Sequence, residues 1–330
     1  MTRILPLALL ALFPAAALAD HPLTIENCGR TVTLAEPPAN VVSIGQSTTE
    51  ILYALGAEDR MAGTALWFNA VLPRHADADA GVPRIADNMP SFESVVNRRP
   101  GLVVTMFEWM IGAQGVVGRP EQFADLGIPV YVMPTDCAAK DNTVGADGTR
   151  EADFDIETLY ASVDQMARMM GLGDRGRALQ ADLRARQAAA VDRARGLDLP
   201  DASAVVWFSS AHLEVDPYVA GARGIPAWML DQLGLRNVVQ SDEEWPTVGW
   251  ESIARADPSV IVIARMDRRR FPADDHEAKL DFLRSDPVTS RMTAVREDRI
   301  VILDAEAMHA GLRMFDGLEA LTEAMAGLAP

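Results

Sequence analysis

The chain has 330 residues, 49% of them hydrophobic and 23% charged, and a formal net charge of −17 at pH 7. This is ordinary globular composition, and the length allows two lobes that each bury a core. So acidic a chain excludes nucleic acid as a natural partner, because phosphate binding needs concentrated Lys and Arg; it fits docking onto a basic rim of a membrane protein.

The chain opens on an export signal. Arg3 supplies a positive start, Ile4 to Leu18 form an apolar run broken by Pro6 and Pro14, and Ala17-Leu18-Ala19 has the small-x-small pattern of a cleavage site. The run is shorter than the roughly 20 apolar residues of a membrane span. No cysteine directly follows the cleavage site, and Cys28 lies too far in for a lipid anchor. Residues 1–19 therefore read as a signal peptide, and the mature protein as an unanchored resident of the periplasm. Cys28 and Cys137 are the only cysteines. An oxidising compartment makes one disulfide the expected state, with two unpaired buried thiols as the alternative. Neither has the Cys or His neighbour that a zinc site needs.

Apolar strands then alternate with helices. Val41–Ile44 reads as a strand, followed by a helix from about Thr48 to Leu55 that Gly56 ends. Leu102–Thr105 and Val130–Val132 are strands on either side of a helix near Pro120–Leu126, and Ala204–Phe208, Val260–Ile263 and Ile300–Leu303 follow. Continuous apolar strands separated by helices indicate an α/β fold of parallel sheets covered on both faces. The segment Asp136 to Asp155, rich in Asp, Gly and Thr, reads as a flexible rim. An amphipathic helix from about Asp153 to Met170 precedes a second helix of about 174–195. The second is mostly polar, with a thin stripe of Leu179, Leu183 and Val191. It suits a strut about 30 Å long. The expected organisation is an N-terminal α/β lobe at 20–170, a connecting helix at 171–196 and a C-terminal α/β lobe at 197–330, with the ligand cleft between lobes. A partial repeat agrees with two similar lobes: Glu93-Ser94-Val95 precedes Pro100 and a strand, and Glu251-Ser252-Ile253 precedes Pro258 and another.

Ligands of open α/β sheets sit outside the carboxyl ends of the strands. After the strand at Val41, Ser47-x-x-Glu50 has capping-box spacing and reads as a helix cap, while Gln46 and Thr48 offer donors beside the positive helix end. Loop aromatics are the stronger signal: Trp67, Phe68, Phe107 and Trp109 in the first half, Tyr218, Trp245 and Trp250 in the second. As a set they suit a cleft gripping a flat, apolar ligand, although each alone fits a lobe core as well. Arg223, Arg265 and Arg313 stand where a guanidinium can hold an anion in bidentate fashion, although each alone reads as an arginine paired with a surface acid. Catalytic patterns such as Gly-x-Ser-x-Gly or His-Glu-x-x-His do not occur, and His21, His75, His212, His276 and His309 are scattered.

In order along the chain, Asn27-Cys28-Gly29-Arg30-Thr31-Val32, Pro38, Val41-Val42-Ser43, Thr49-Glu50-Ile51-Leu52-Tyr53-Ala54-Leu55-Gly56, Leu233-Gly234-Leu235-Arg236-Asn237-Val238 and Trp245-Pro246-Thr247-Val248-Gly249-Trp250-Glu251 carry a resemblance. The chain resembles the periplasmic binding proteins of ABC importers that take ferric siderophores, haem and cobalamin. The resemblance covers nearly all of the mature chain. It implies two α/β lobes joined by one long helix, small hinge closure, and binding rather than catalysis. It implies that Glu93 and Glu251 dock onto arginines of an inner-membrane permease, one per lobe. It makes Trp245 a pocket residue, after the Trp of the cobalamin-binding member, and Arg313 an arginine of the cleft loop Met308 to Arg313. With Gln46, Thr48, Trp67, Trp109, Tyr218 and Arg223 these complete the expected ligand-binding set. No arginine array stands out for a highly anionic complex, and no Tyr or His is marked as a haem ligand, Tyr218 and His309 being the two to test. The expected function is capture of a ferric siderophore-like or corrinoid-like chelate by a monomer without a cofactor or metal of its own, and delivery to the permease. The alternatives are a histidine/carboxylate metal-ion carrier or metalloenzyme, and a ligand sensor on the same fold.

Overall fold

The computed structural model describes residues 21–143, 148–199 and 201–328; the expected signal peptide at 1–19 lies outside them. The first element is a hairpin of β1 (Leu23–Asn27) and β2 (Arg30–Leu34), paired antiparallel. Its two turn residues, Cys28 and Gly29, both have positive φ, at 47° and 73°. Two left-handed residues match the right-handed twist of the flanking strands, which is why the tight turn forms here.

The first lobe runs β3 (Val41–Ile44), α1 (Gln46–Ala54), β4 (Met61–Ala65), α2 (Ala76–Ala80), β5 (Arg84–Ala86), α3 (Phe92–Val96), β6 (Leu102–Thr105), α4 (Glu108–Ile111), α5 (Pro120–Ala124) and β7 (Val130–Val132). Its sheet has the order β5-β4-β3-β6-β7, all parallel. β3 and β6 are buried along their whole length, as strands covered on both faces must be. A short hairpin of β8 (Lys140–Asp141) and β9 (Thr149–Arg150) leads to α6 (Glu157–Met169) and the long α7 (Gly173–Arg195).

The second lobe runs β10 (Ser203–Ser209), β11 (Tyr218–Val219), α8 (Ile225–Gln232), β12 (Arg236–Asn237), α9 (Trp250–Ala256), β13 (Val260–Arg265), α10 (His276–Ser285), α11 (Thr293–Arg296), β14 (Ile300–Asp304) and α12 (Arg313–Ala326). Its sheet order is β11-β10-β13-β14 with β12 also beside β10, and only β11 is antiparallel. The expected α/β class and the two parallel sheets are therefore present.

α7 is less isolated than its composition suggests. Leu183, Ala190, Val191 and Ala194 are buried, and Gly176 lies so close to α6 that a Cβ there would strike the Ala167 methyl. Arginines on its polar face reach both neighbours: Arg184 pairs with Glu157 of α6, while Arg186 pairs with Asp316 and Glu319 and Arg193 with Glu323 of α12. The helix thus joins the lobes by packing on each of them.

The hairpin β1–β2 is fastened to the first lobe twice. The Asn27 side chain donates to Val132 O at 2.7 Å and accepts from Val132 N at 2.8 Å, pairing the edge strand β7 as another strand would. Cys28 and Cys137 form the disulfide, which closes a separation of 109 residues. Restricting so long a loop in the unfolded chain stabilises a fold by about 2–4 kcal/mol. The Cys28→Ala/Cys137→Ala protein should lose about that much in urea unfolding, and reducing the native protein should reproduce the loss.

Candidate ligand cleft between the lobes

The carboxyl ends of the two sheets face one another. The segments after β3, β4 and β6 belong to the first lobe, those after β10, β13 and β14 to the second. The turn from β3 into α1 passes so near β6 that a Cβ on Gly45 would overlap the Met106 side chain, and Gly45 has φ 128°. Only glycine allows that approach without strain.

A buried ion cluster crosses the interface. Arg313, at the start of α12, is 2% exposed, and Glu50 of α1 is 0% exposed. Arg313 Nε donates to Glu50 Oε1 at 2.9 Å and Nη2 to the same oxygen at 2.5 Å. Nη1 donates to Asp304 Oδ2 at 2.6 Å and Nη2 to Ala70 O at 2.6 Å. Beside this cluster Ser47 Oγ donates to Glu306 Oε1 at 2.5 Å. A Cβ on Gly311 would fall inside the contact radius of Ser47 Oγ, so the lobes meet at a glycine. One guanidinium faces several carboxylates here. Burial pushes Glu50 up from 4.5 to about 6 against the pull of Arg313, and burial likewise raises Asp304.

This corrects the capping-box reading. Helix α1 already begins at Gln46, with Gly45 as its N-cap and no side-chain cap bond. Ser47 and Glu50 point instead across the interface. Gln46 shapes the adjacent loop: its Oε1 accepts from Phe68 N and Asn69 N at 3.1 Å each.

A second latch lies on the other side of the cleft. Arg150 and Lys140 are both buried against Glu244, Lys140 also reaches Asp136 at 2.7 Å, and Asp136 accepts from Glu108 N at 2.6 Å. Phe154 N donates to Arg223 O at 2.9 Å. The described part of the 136–155 segment is thus a joint between the lobes and not a flexible rim.

Between the two latches the aromatic side chains converge on His309. Its ring centre lies 5.7 Å from Phe68 and 5.6 Å from Phe107 of the first lobe, and 5.5 Å from Phe208 and 6.4 Å from Trp245 of the second. Trp109 stacks on Phe107 at 5.6 Å, and Trp245 on Phe208 at 4.4 Å. His309 Nδ1 is buried, makes no hydrogen bond, and sits 3.6 Å from Glu306 Oε2, which is also unpartnered. Phe208 is braced from behind, since buried Lys279 donates to its carbonyl oxygen at 2.6 Å. Burial pulls that lysine down to about 8.

Of the expected ligand-binding residues, Trp109 and Trp245 stand in this cluster. The others are placed elsewhere. Trp67 is 3% exposed in the first lobe, donating to Thr64 Oγ1 with Arg84 over its ring. Thr48 is buried against Ser43 and Gly45 O. Tyr218 is 37% exposed on β11. Arg223 is tied to Arg150 O and Asp242, and Arg313 to the interlobe clamp. Sequence reasoning missed Phe208, which reads as the last residue of an apolar strand, and Glu306, while His309 was named only as one of two residues to test as a haem ligand. Glu306 and His309 both follow the carboxyl end of β14. Surface hollows of about 360 and 410 Å³ lie away from this cleft, one at the end of α7 and one beside β2 and β7.

Residues 41–307 match the periplasmic binding protein family, and the chain belongs to it. An uncharacterised ABC transporter substrate-binding lipoprotein of Bacillus subtilis is 22% identical over 306 residues, 92% of this chain and 85% of that protein. Among solved structures, an ABC-type Fe3+-hydroxamate transport protein of Saccharomonospora viridis is 25% identical with a TM-score of 0.71, aligned over 92% of this chain and 98% of its own. A periplasmic haem-binding protein of Pseudomonas aeruginosa is 23% identical with a TM-score of 0.67, over 89% and 94%. The two-lobe architecture and the role of a binding protein, not an enzyme, both stand.

Breaking the clamp leaves carboxylates buried without their cation. Arg313→Met should destabilise by about 3–5 kcal/mol in urea unfolding. Folded Glu50 holds its proton more tightly than unfolded Glu50 does. Its contribution therefore favours the fold below pH 4.5 and is lost as pH rises through about 6, on the order of 2 kcal/mol. Glu50→Gln cannot titrate and should flatten that part of the stability curve.

Proposed function

We propose that this periplasmic binding protein serves an ABC importer and carries a flat metal chelate of the porphyrin or corrinoid class, held between the rings of the two lobes with His309 as the protein's donor to the metal. The observation that carries this reading is His309 itself, an imidazole surrounded by Phe68, Phe107, Phe208 and Trp245, two from each lobe. Offset and edge-on rings form the walls that a planar, largely apolar ligand fills. With Nδ1 turned toward Glu306, Nε2 is the nitrogen left to coordinate, and a carboxylate behind a ligating imidazole orients it and raises its basicity. Among the described residues no three His, Cys, Asp or Glu side chains are grouped to hold a bare ion. A chelate that brings its own donors needs only one from the protein. The Pseudomonas and Saccharomonospora relatives are named for haem and for Fe3+-hydroxamate, which supports a metal chelate as cargo.

Delivery to a permease fits the placement of Glu93 and Glu251. Each is exposed in the first turn of a short helix, α3 in one lobe and α9 in the other. Exposed pairs contribute little affinity each and act on registration and rate. Reversing both charges should leave ligand affinity unchanged and slow transport in vesicles carrying the cognate permease.

The cargo is tested by titrating the protein with ferric haem, cobalamin and a ferric hydroxamate while following thermal unfolding and absorbance. A ligand at a hundred times its Kd adds about 2.7 kcal/mol of stability. A macrocycle should stabilise the native protein, His309→Ala should change the metal's spectrum, and Trp245→Ala should weaken binding about tenfold or more. Stabilisation by the hydroxamate alone, with His309→Ala silent, would overturn the macrocycle.

A further inference from the structure

We infer that Lys279 is a positioning residue for the ligand: its ammonium, seated on the carbonyl of a bulged Phe208, sets the angle at which that ring and Trp245 meet what the cleft holds. The inference rests on the cleft reading above and adds a pH dependence to it. Of the thirty lysines and arginines in the chain only two, Lys140 and Lys279, are lysines, and both side chains are buried. Lysine is almost never buried without a partner, and unlike arginine it can shed its charge there. Lys140 has its partners in the latch with Asp136 and Glu244. Lys279 faces a carbonyl.

The end of β10 explains what that contact does. β10 leaves β13 after Trp207, and against β11 the residues Trp207 and Ser209 face Val219 and Tyr218, which leaves Phe208 as the extra residue of a bulge. A bulge frees one residue from the ladder and re-aims its side chain. Side chains of the segment 274–279 take over the lost bonds. Lys279 Nζ donates to Phe208 O at 2.6 Å and lies 5.1 Å from the centre of the Trp207 ring. Buried Asp274 accepts from Ser209 Oγ at 2.7 Å and from Ser210 N at 3.1 Å. The backbone on either side of the Phe208 ring is thus held by one cation and one anion. Burial pulls Lys279 down to about 8, and Asp274 is the charge that opposes this. The other ionisable groups around it turn away: Arg265 of β13, Arg291 and Arg296 beside α11, and Glu277, Asp281 and Arg284 of α10 are exposed, and His276 faces Asp275 and Glu277. An ammonium holds a carbonyl more strongly than a neutral amine does. Once the proton leaves, the Phe208 peptide gains other settings, and affinity falls with the fraction of protein that keeps the competent one.

The chain's two lysines make that charge directly visible. With carbon-13 at every lysine Cε the protein gives two resonances, and the one that persists in Lys140→Arg belongs to Lys279. It should titrate near pH 8 in the free protein. Saturation with gallium protoporphyrin IX, a diamagnetic macrocycle of the proposed class, should move that midpoint up by about one pH unit. Affinity for the same macrocycle should hold below about pH 8 and fall about tenfold as Lys279 loses its proton. Neither titration needs a variant at Lys279, so the result stands even if Lys279→Met fails to fold. Where it folds, Lys279→Met should have the lowered affinity already at neutral pH and show no such fall, and in a Phe208→Ala background it should cost nothing further. A midpoint that the macrocycle leaves in place overturns the positioning role and leaves the aromatic cleft standing. A Lys279→Met loss of equal size with and without the Phe208 ring also overturns it, since that marks a general loosening of the lobe. If the macrocycle does not bind at any pH, the cleft reading falls and this inference with it.

Discussion

The structure depends on how one guanidinium is shared between two lobes. Arg313 reaches Glu50 and Ala70 O in the first lobe and Asp304 in the second. Burying an ion pair costs desolvation, so such a cluster contributes specificity of arrangement more than stability. Here the arrangement sets where the turn after β14 lies. Asp304, held by Arg313, begins the turn that carries Glu306 and His309, and Glu306 is fixed in turn by Ser47 of the other lobe. His309 stands among the rings because the charges behind it have only this geometry in which to be satisfied.

The cleft is thereby divided by chemistry. Polar latches lie at its two sides, the Arg313 cluster and the Arg150–Glu244–Lys140–Asp136 cluster. The aromatic side chains occupy the middle. A dry middle strengthens each polar contact at its border.

The strands were the legible part of the sequence. Val41–Ile44, Leu102–Thr105 and Val130–Val132 read directly as the buried strands they are, because continuous apolar runs need no partner to be recognised. The interlobe chemistry was not legible, for one physical reason. Ser47 and Glu50 are three residues apart, as a capping box requires, and their true partners stand 259 and 263 residues away. Local spacing was matched by chance and long-range pairing leaves no local mark. Phe208 was hidden likewise, as the end of an apolar run, while His309 stood out only as a histidine of the cleft loop Met308 to Arg313. Trp109 and Trp245 read as loop aromatics at strand ends, and the structure places both in the aromatic cluster, Trp109 from within α4. Trp67 carries the same signal but turns into the core, where Thr64 accepts its indole N–H.

The single crossing through α7 also fixes the order in which contacts can be made as the chain emerges from an export channel. The disulfide spans 109 residues and lies wholly within the first lobe, whereas the clamp must wait for the last helix. Domains fold as units, the N-terminal one first, and contacts distant in sequence are closed late. During that interval Glu50 has no arginine beside it. Glu50 gains its full burial and its arginine together when the C-terminal helix arrives, so the last packing event is also the one at which this carboxyl comes to hold its proton more tightly.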